Sequence, residues 1–274
     1  MTAARSIRIF LTAFLLLPSL CLAQTQRHYL GYDKNTYPGD DLLPSLHKSF
    51  AYTGYWLNNP PGMTSNPWTG KRSQLRAAGF GFLILFNGRL DAALKGHDPA
   101  ALGKADAQAA VDAGLRENFP AGSIIFLDNE EGGRLLPEQA AYVGAWIKAV
   151  SLSDFRAGVY CSGVPVHDSS GTITTAQDIA KRFATPDNQL ALWVFNDACP
   201  PAPGCVLRSA DPARSGIKGA LVWQYARSPR AEIAASCKAG YAPDRNCYAP
   251  RLPHSEHTQL DMDTSNSSDP SIGR

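Results

Sequence analysis

The chain has 274 residues, of which 44% are hydrophobic and 18% charged. That apolar share can bury a core and excludes a disordered or fibrous chain. Lys plus Arg number 26 against 24 Asp plus Glu, a net charge of +2, which argues against a dedicated nucleic-acid binder with its basic stripe.

The chain opens on an address. Arg5 and Arg8 precede an apolar run over residues 9–17, followed by Pro18 and Ser19-Leu20-Cys21-Leu22-Ala23. A charged start, an apolar middle and a small-residue end make a secretory signal, here covering residues 1–23 with cleavage after Ala23. The run is shorter than the roughly 20 residues that a membrane span needs, and no later segment is long enough. Leu20 before Cys21 is a poor fit to lipoprotein processing. The destination is periplasmic or extracellular. In that oxidising setting, Cys199 with Cys205 and Cys237 with Cys247 each close a short loop suited to a disulfide. Cys161 sits in an apolar run and reads as a buried free thiol.

Residues 24–266 alternate two kinds of segment. Short apolar runs occupy residues 29–33, 50–56, 80–86, 124–128, 157–160, 190–195, 220–225 and 259–263. Several are apolar at consecutive positions, as expected of parallel strands covered on both faces. Residues 98–118, 137–150 and 174–183 carry helical spacing, and Pro99 and Pro137 suit first-turn positions. Strand–helix alternation implies an α/β fold with a parallel sheet. Eight strands in about 250 residues imply a single-domain (β/α)8 TIM-type barrel with long loops at 200–216 and 228–257. An open doubly wound sheet is the runner-up, weakened because no Gly-rich phosphate loop follows the first strand. Residues 267–274 read as a frayed polar tail.

Acids gather where these strands end. Asp33 closes the first run, Asp128-Asn129-Glu130 the fourth, and Asp261 and Asp263 lie in the last. The carboxyl ends of the strands form the active face of such a barrel. Asp128 and Glu130 fall on one side of a strand, with Cα atoms roughly 6.5–7 Å apart. Breaking a glycosidic bond needs one carboxylic acid to protonate the leaving oxygen and a second carboxylate opposite it. Glu130 has the longer reach and is the candidate acid, with Asp128, Asp33 and Asp261 completing the catalytic set. Strand-end acids also cap helices, the competing reading for any one of them. Tyr55, Trp56, Tyr160, Trp193, Trp223 and Tyr225 fall at or just past strand ends, where aromatic rings can stack on sugar faces. The Asn58-Asn59-Pro60-Pro61-Gly62 loop either binds hydroxyls or sets a turn. His254 and His257 lack metal-site spacing, and Ser162 lies in no nucleophile elbow. No metal or other cofactor is implied.

These pieces resemble a family. Gly31-Tyr32-Asp33, Asp128-Asn129-Glu130-Glu131, Gly158-Val159-Tyr160, Trp223-Gln224-Tyr225 and Leu260-Asp261-Met262-Asp263 come in the order seen in family-25 glycoside hydrolases, the muramidases that cut peptidoglycan. The layout is most similar to their divergent secreted relatives, the bacterial glycoside-hydrolase-like barrels. The resemblance implies Glu130 as proton donor and Asp128 as the group that orients the acetamido substituent. It places Asp33 and Asp261 in an acidic floor, and Gln224 and Tyr225 along the site. The chain departs from the family in carrying Asp263 where Asn is usual.

The expectation is therefore a secreted, monomeric glycosidase acting on a cell-wall or other N-acetylated polysaccharide, with no nucleic-acid partner. The alternatives are a glycan-binding barrel that no longer hydrolyses, and a structural protein of the envelope.

Overall fold

The apolar runs become strands because both of their faces are covered. In the computed structural model, which describes residues 27–185, 190–197, 204–228, 246–249 and 258–274, the expected eight strands close into one barrel. They are β1 (Tyr29–Asp33), β2 (Tyr52–Trp56), β3 (Gly81–Asn87), β4 (Ile124–Asn129), β5 (Arg156–Ser162), β8 (Ala191–Phe195), β9 (Val222–Ala226) and β10 (Asp261–Ser265). A short hairpin of β6 (Val166–Asp168) and β7 (Gly171–Ile173) follows β5. The barrel order is β1-β10-β9-β8-β5-β4-β3-β2. The signal segment 1–23, Cys199, Cys237, His254 and His257 lie outside the described residues.

One strand departs from the parallel expectation. β10 runs antiparallel to both β1 and β9. β9 ends at the mouth and β10 begins there, so no crossover helix is needed to carry the chain back to the base. This reversal sets Asp261 opposite Asp33, and Asp263 opposite Gly31.

Helices cover the barrel unevenly. The three expected ones are α4 (Pro99–Arg116), α5 (Pro137–Ser151) and α6 (Thr175–Phe183); α1 (Leu43–His47), α2 (Arg72–Ala77) and α3 (Asp91–Leu94) are short. Asp98 caps α4 by accepting from the backbone of Ala100 and Ala101, satisfying donors that the first turn leaves unpaired. Thr174 and Gln177 form a reciprocal capping box on α6. α4 and α5 approach closely because Gly103 lacks a Cβ; one placed there would lie 2.3 Å from the Tyr142 carbonyl oxygen. Cys161 is the expected buried free thiol.

Two expectations fail. The first concerns residues 267–274, which form a wedge rather than a frayed tail. Ser271 N donates to Phe82 O at 2.9 Å, Ile84 N donates to Ser271 Oγ at 2.9 Å, and Ile124 N donates to Ser271 O at 2.8 Å. Asp269 Oδ1 accepts from Phe82 N at 2.9 Å. Direct pairing of β3 with β4 starts only at Ile84 and Ile125, so the wedge satisfies strand groups that would otherwise be orphaned at the base. Its residues are polar because their partners are backbone groups, and for that reason no apolar pattern announced it.

The second concerns the cysteines. Cys205 pairs with Cys247, with Cα atoms 5.2 Å apart, and not with its sequence neighbour. Trp223, Tyr225, Met262 and Ala210 make a small cluster outside the barrel that also contains Cys247, with Cys205 packed against it. That packing decides the partner; spacing along the chain does not.

The wedge predicts a stability effect. Ser271→Ala leaves the buried Ile84 N–H without an acceptor, a loss of about 1–3 kcal/mol. The thermal midpoint by circular dichroism should fall by several degrees, at about 2–4 °C per kcal/mol for a chain of this size. An unchanged midpoint would show that the wedge contributes nothing.

Candidate active site

Strand alternation turns a set of polar side chains into the barrel beneath its mouth. Asp33 leaves the end of β1, and Gly54 on β2 makes room for it: a Cβ at Gly54 would lie 2.6 Å from that of Asp33. Gln224 Nε2 donates to Asp33 Oδ2 at 2.7 Å, and Tyr160 Oη donates to Gln224 Oε1 at 2.7 Å. Trp193 Nε1 donates to Asp263 Oδ1 at 2.9 Å. The carboxyls of Asp263 and Asp33 are themselves within hydrogen-bond reach of each other. Strands β1, β5, β8, β9 and β10 therefore meet in one chain of polar contacts.

Burial governs the electrostatics, because it penalises the ionised form of a carboxyl. Asp33 is pushed up to about 6 by burial, against the lowering effects of Gln224, Asp263 and Arg227. Asp128 is 6% exposed and is driven well above the usual carboxylate range by burial, with Glu130 and Asp33 adding to it. Its Oδ1 has no hydrogen-bond partner among the described residues. Asp263 is also raised well above that range, first by burial and then by Asp33. Glu130, by contrast, stands exposed on the rim.

A cation balances part of this. Arg227 pairs with the fully buried Asp197, Nε to Oδ2 at 3.3 Å and Nη2 to Oδ1 at 3.3 Å. Its guanidinium lies 3.9 Å from the Phe195 ring centroid. Burial opposes its charge, but Tyr160, Asp197 and Asp261 outweigh that and hold it protonated.

Two hollows open at the mouth. One of about 300 Å³ is lined by Asp33, Lys34, Thr36, Ser228 and Asp261. The other, about 250 Å³, is lined by Asn87, Arg89, Asp128, Glu130, Glu131 and Pro61. A larger hollow of about 600 Å³ sits between α4 and α5, but it is walled by residues such as Ala101, Val111 and Leu152 and holds no carboxyl. Chemistry belongs to the first two.

The expected residues divide. Asp33, Asp128, Tyr160, Trp193 and Gln224 come together at the mouth or just beneath it, and Glu130 and Asp261 stand on its rim. Asp261 Oδ1 accepts from Ser228 N at 2.5 Å, and the residue lines a mouth hollow together with Asp33. Tyr55, Trp223 and Tyr225 are corrections: they face outward. Tyr55 donates to Glu117 at 2.5 Å and packs on Phe82 and Phe119. Trp223 Nε1 donates to Asn196 O at 2.9 Å, and Tyr225 to Val206 O at 3.0 Å. The reason is the two-residue period: with Gln224 inward, both of its neighbours must point out. Trp56 faces inward, yet it is 3% exposed and donates to Lys34 O. Tyr160 and Trp193 are likewise buried. None of these aromatics presents an open ring for sugar stacking; Tyr160 and Trp193 act through their polar atoms. Asn58 sets its turn, exchanging hydrogen bonds with the backbone of Asn87.

Sequence reasoning did not reach Arg227 or Asp197, which follow strand ends with no motif to mark them. Asp263 carried a signal, its spacing of two from Asp261.

Comparison with known proteins bears on the family and the fold. A family model described as Rv2525c-like, glycoside hydrolase-like domain matches residues 50–201. No curated protein matches the chain in sequence. Among solved structures, an uncharacterized B. stearothermophilus protein superposes with a TM-score of 0.56 at 18% identity, over 86% of this chain and 94% of that one. The Mycobacterium tuberculosis Tat-secreted protein Rv2525c, in complex with HEPES, gives 0.50 at 12% identity, over 90% and 97%. A family 25 glycosyl hydrolase from Bacillus anthracis gives 0.47 at 11% identity, over 87% and 89%. At such identities the first two superpositions speak for the fold alone. The family match covers more than half of the sequence, and the chain belongs to the Rv2525c-like, glycoside hydrolase-like domain family.

Proposed function

We propose that the chain is a secreted glycosidase that cleaves an N-acetylated cell-wall polysaccharide. The observation that carries this reading is the pairing of an exposed Glu130 with a buried Asp128, one of whose oxygens is unclaimed, along one 250 Å³ hollow. Glu130 protonates the leaving glycosidic oxygen. Asp128 orients the acetamido group of the adjoining sugar. Asp33 contributes negative charge as positive character develops on the sugar ring. The leader-like residues 1–23 and the likeness to a Tat-secreted protein support export.

A second reading has its own observation. Glu130 is exposed and accepts no hydrogen bond from the described residues, and a barrel that binds glycans without cleaving them would tolerate that. The two readings separate on cell-wall polysaccharide. Under the first, reducing ends appear and Glu130→Gln lowers turnover by at least about a hundredfold while binding persists. Retention of the polysaccharide with no new reducing ends would establish the second.

Acidity offers an independent check of the mouth. A carboxyl whose folded-state pKa is raised stabilises the fold below its unfolded value and loses that contribution as pH rises through the folded value. For Asp33 the window runs from about 3.9 to about 6. Asp33→Asn should therefore gain thermal stability relative to the parent as pH is raised through about 6. A difference in midpoint that stays flat between pH 5 and pH 8 would contradict the buried setting of Asp33.

A further inference from the structure

Asp263 is fully buried, yet only one of its oxygens has a donor. Oδ1 accepts from Trp193 Nε1 at 2.9 Å, and Oδ2 has no partner among the described N–H and O–H groups. What it meets is the carboxyl of Asp33, within hydrogen-bond reach. Asp33 gives Oδ2 to Gln224 Nε2. Tyr160 Oη donates to Gln224 Oε1, which leaves the Gln224 amide nitrogen turned toward Asp33. The strand register fixes the pair from below, with Asp263 opposite Gly31 on one side and Gln224 on the other. Two carboxylates in contact in a dry interior repel strongly, whereas a carboxyl and a carboxylate attract through the hydrogen between them.

We propose that Asp263 is a positioning residue: it keeps the one proton of the pair and donates it as a hydrogen bond to Asp33, so that Asp33 meets the mouth as an ionised carboxylate held in a single orientation. The value of this to catalysis rests on the glycosidase reading; the shared proton itself does not.

The surroundings assign the proton to Asp263. Among the described residues, the titratable groups that act on or lie beside Asp263 are Asp33 from β1, Tyr52 from β2, Tyr225 from β9 and Asp261 from its own strand, and none of these is a cation. Arg227 favours the charge of Asp33. Burial raises both carboxyls, Asp33 to about 6 and Asp263 well beyond the carboxylate range. Two touching carboxyls share a proton more readily than they both ionise, and their two titrations belong to the pair.

Carboxyl-carbon NMR titration of the whole chain tests this, with Asp263→Asn and Asp263→Leu as variants. In the parent, Asp33 should titrate near 6 while Asp263 stays protonated past neutrality. Asn supplies an amide donor in place of the acid, so Asp33 should stay within about half a pH unit of the parent. Leu removes the donor, and Asp33 should move up by about one pH unit or more. If the Asp263→Leu variant does not fold, the parent and the Asn variant decide. Titration of Asp263 in the ordinary carboxylate range would overturn the proposal. So would a drop of about one pH unit at Asp33 in the Asn variant, because it would mean that a negative neighbour had been removed. A chain with the expected titrations but no polysaccharide cleavage would sink the glycosidase reading and leave the shared proton standing.

Discussion

Closure of the sheet by one reversed strand is the constraint on which the site depends. Had β10 run parallel to its neighbours, Asp261 would open the strand at the base, far from Asp33. Running antiparallel, the strand starts at the mouth and offers two inward acids, Asp261 at the rim and Asp263 one step below. The same reversal lets a single connection from β9 to β10 stay at the mouth end. The bridge between Cys205 and Cys247 ties the stretch between β8 and β9 to the stretch between β9 and β10.

Gathering acids in this way opposes folding, because a buried carboxylate is costly unless it is paired. The barrel answers in three ways. Asp33 receives the amide of Gln224, Asp263 receives the indole N–H of Trp193, and Arg227 lends a positive charge anchored by Asp197 and Phe195. Two oxygens remain without a donor among the described residues, Asp128 Oδ1 and Asp263 Oδ2, and the Asp263 carboxyl is the one that meets Asp33. Buried groups with unmet hydrogen bonds are uncommon in folded chains and collect at places where a ligand is expected to supply the missing partner. The carboxyls beneath the mouth are held, while Asp128 and Glu130 at its edge are left available.

The two ends of the barrel differ in kind. At the base, the wedge around Ser271 completes hydrogen bonds that the strands cannot make for themselves, and the arrangement is that of a seal. At the mouth, polar groups face hollows of about 300 Å³ and 250 Å³. This polarity follows the usual division in barrels, where one end carries function and the other carries stability.

Much of this was legible from the chain alone. Consecutive apolar residues such as Phe82-Leu83-Ile84-Leu85 declare a strand covered on both faces, and Asp98-Pro99 declares a helix start, because both signals are local. The acids at Asp33, Asp128 and Glu130 were placed correctly because a strand end has a fixed relation to the barrel mouth. The direction of β10 was not legible, since a strand pattern reads the same in either sense. Nor was the facing of Trp223 and Tyr225, which depends on which side of the strand the barrel interior lies. The union of Cys205 with Cys247, the wedge at Ser271 and the contact of Asp33 with Asp263 join residues far apart in the chain. The sequence by itself determined the eight strands, the main helices and the stock of carboxyls. Only the tertiary structure decided which of those carboxyls meet, because contact between distant residues is set by how the sheet closes, and closure leaves no local trace.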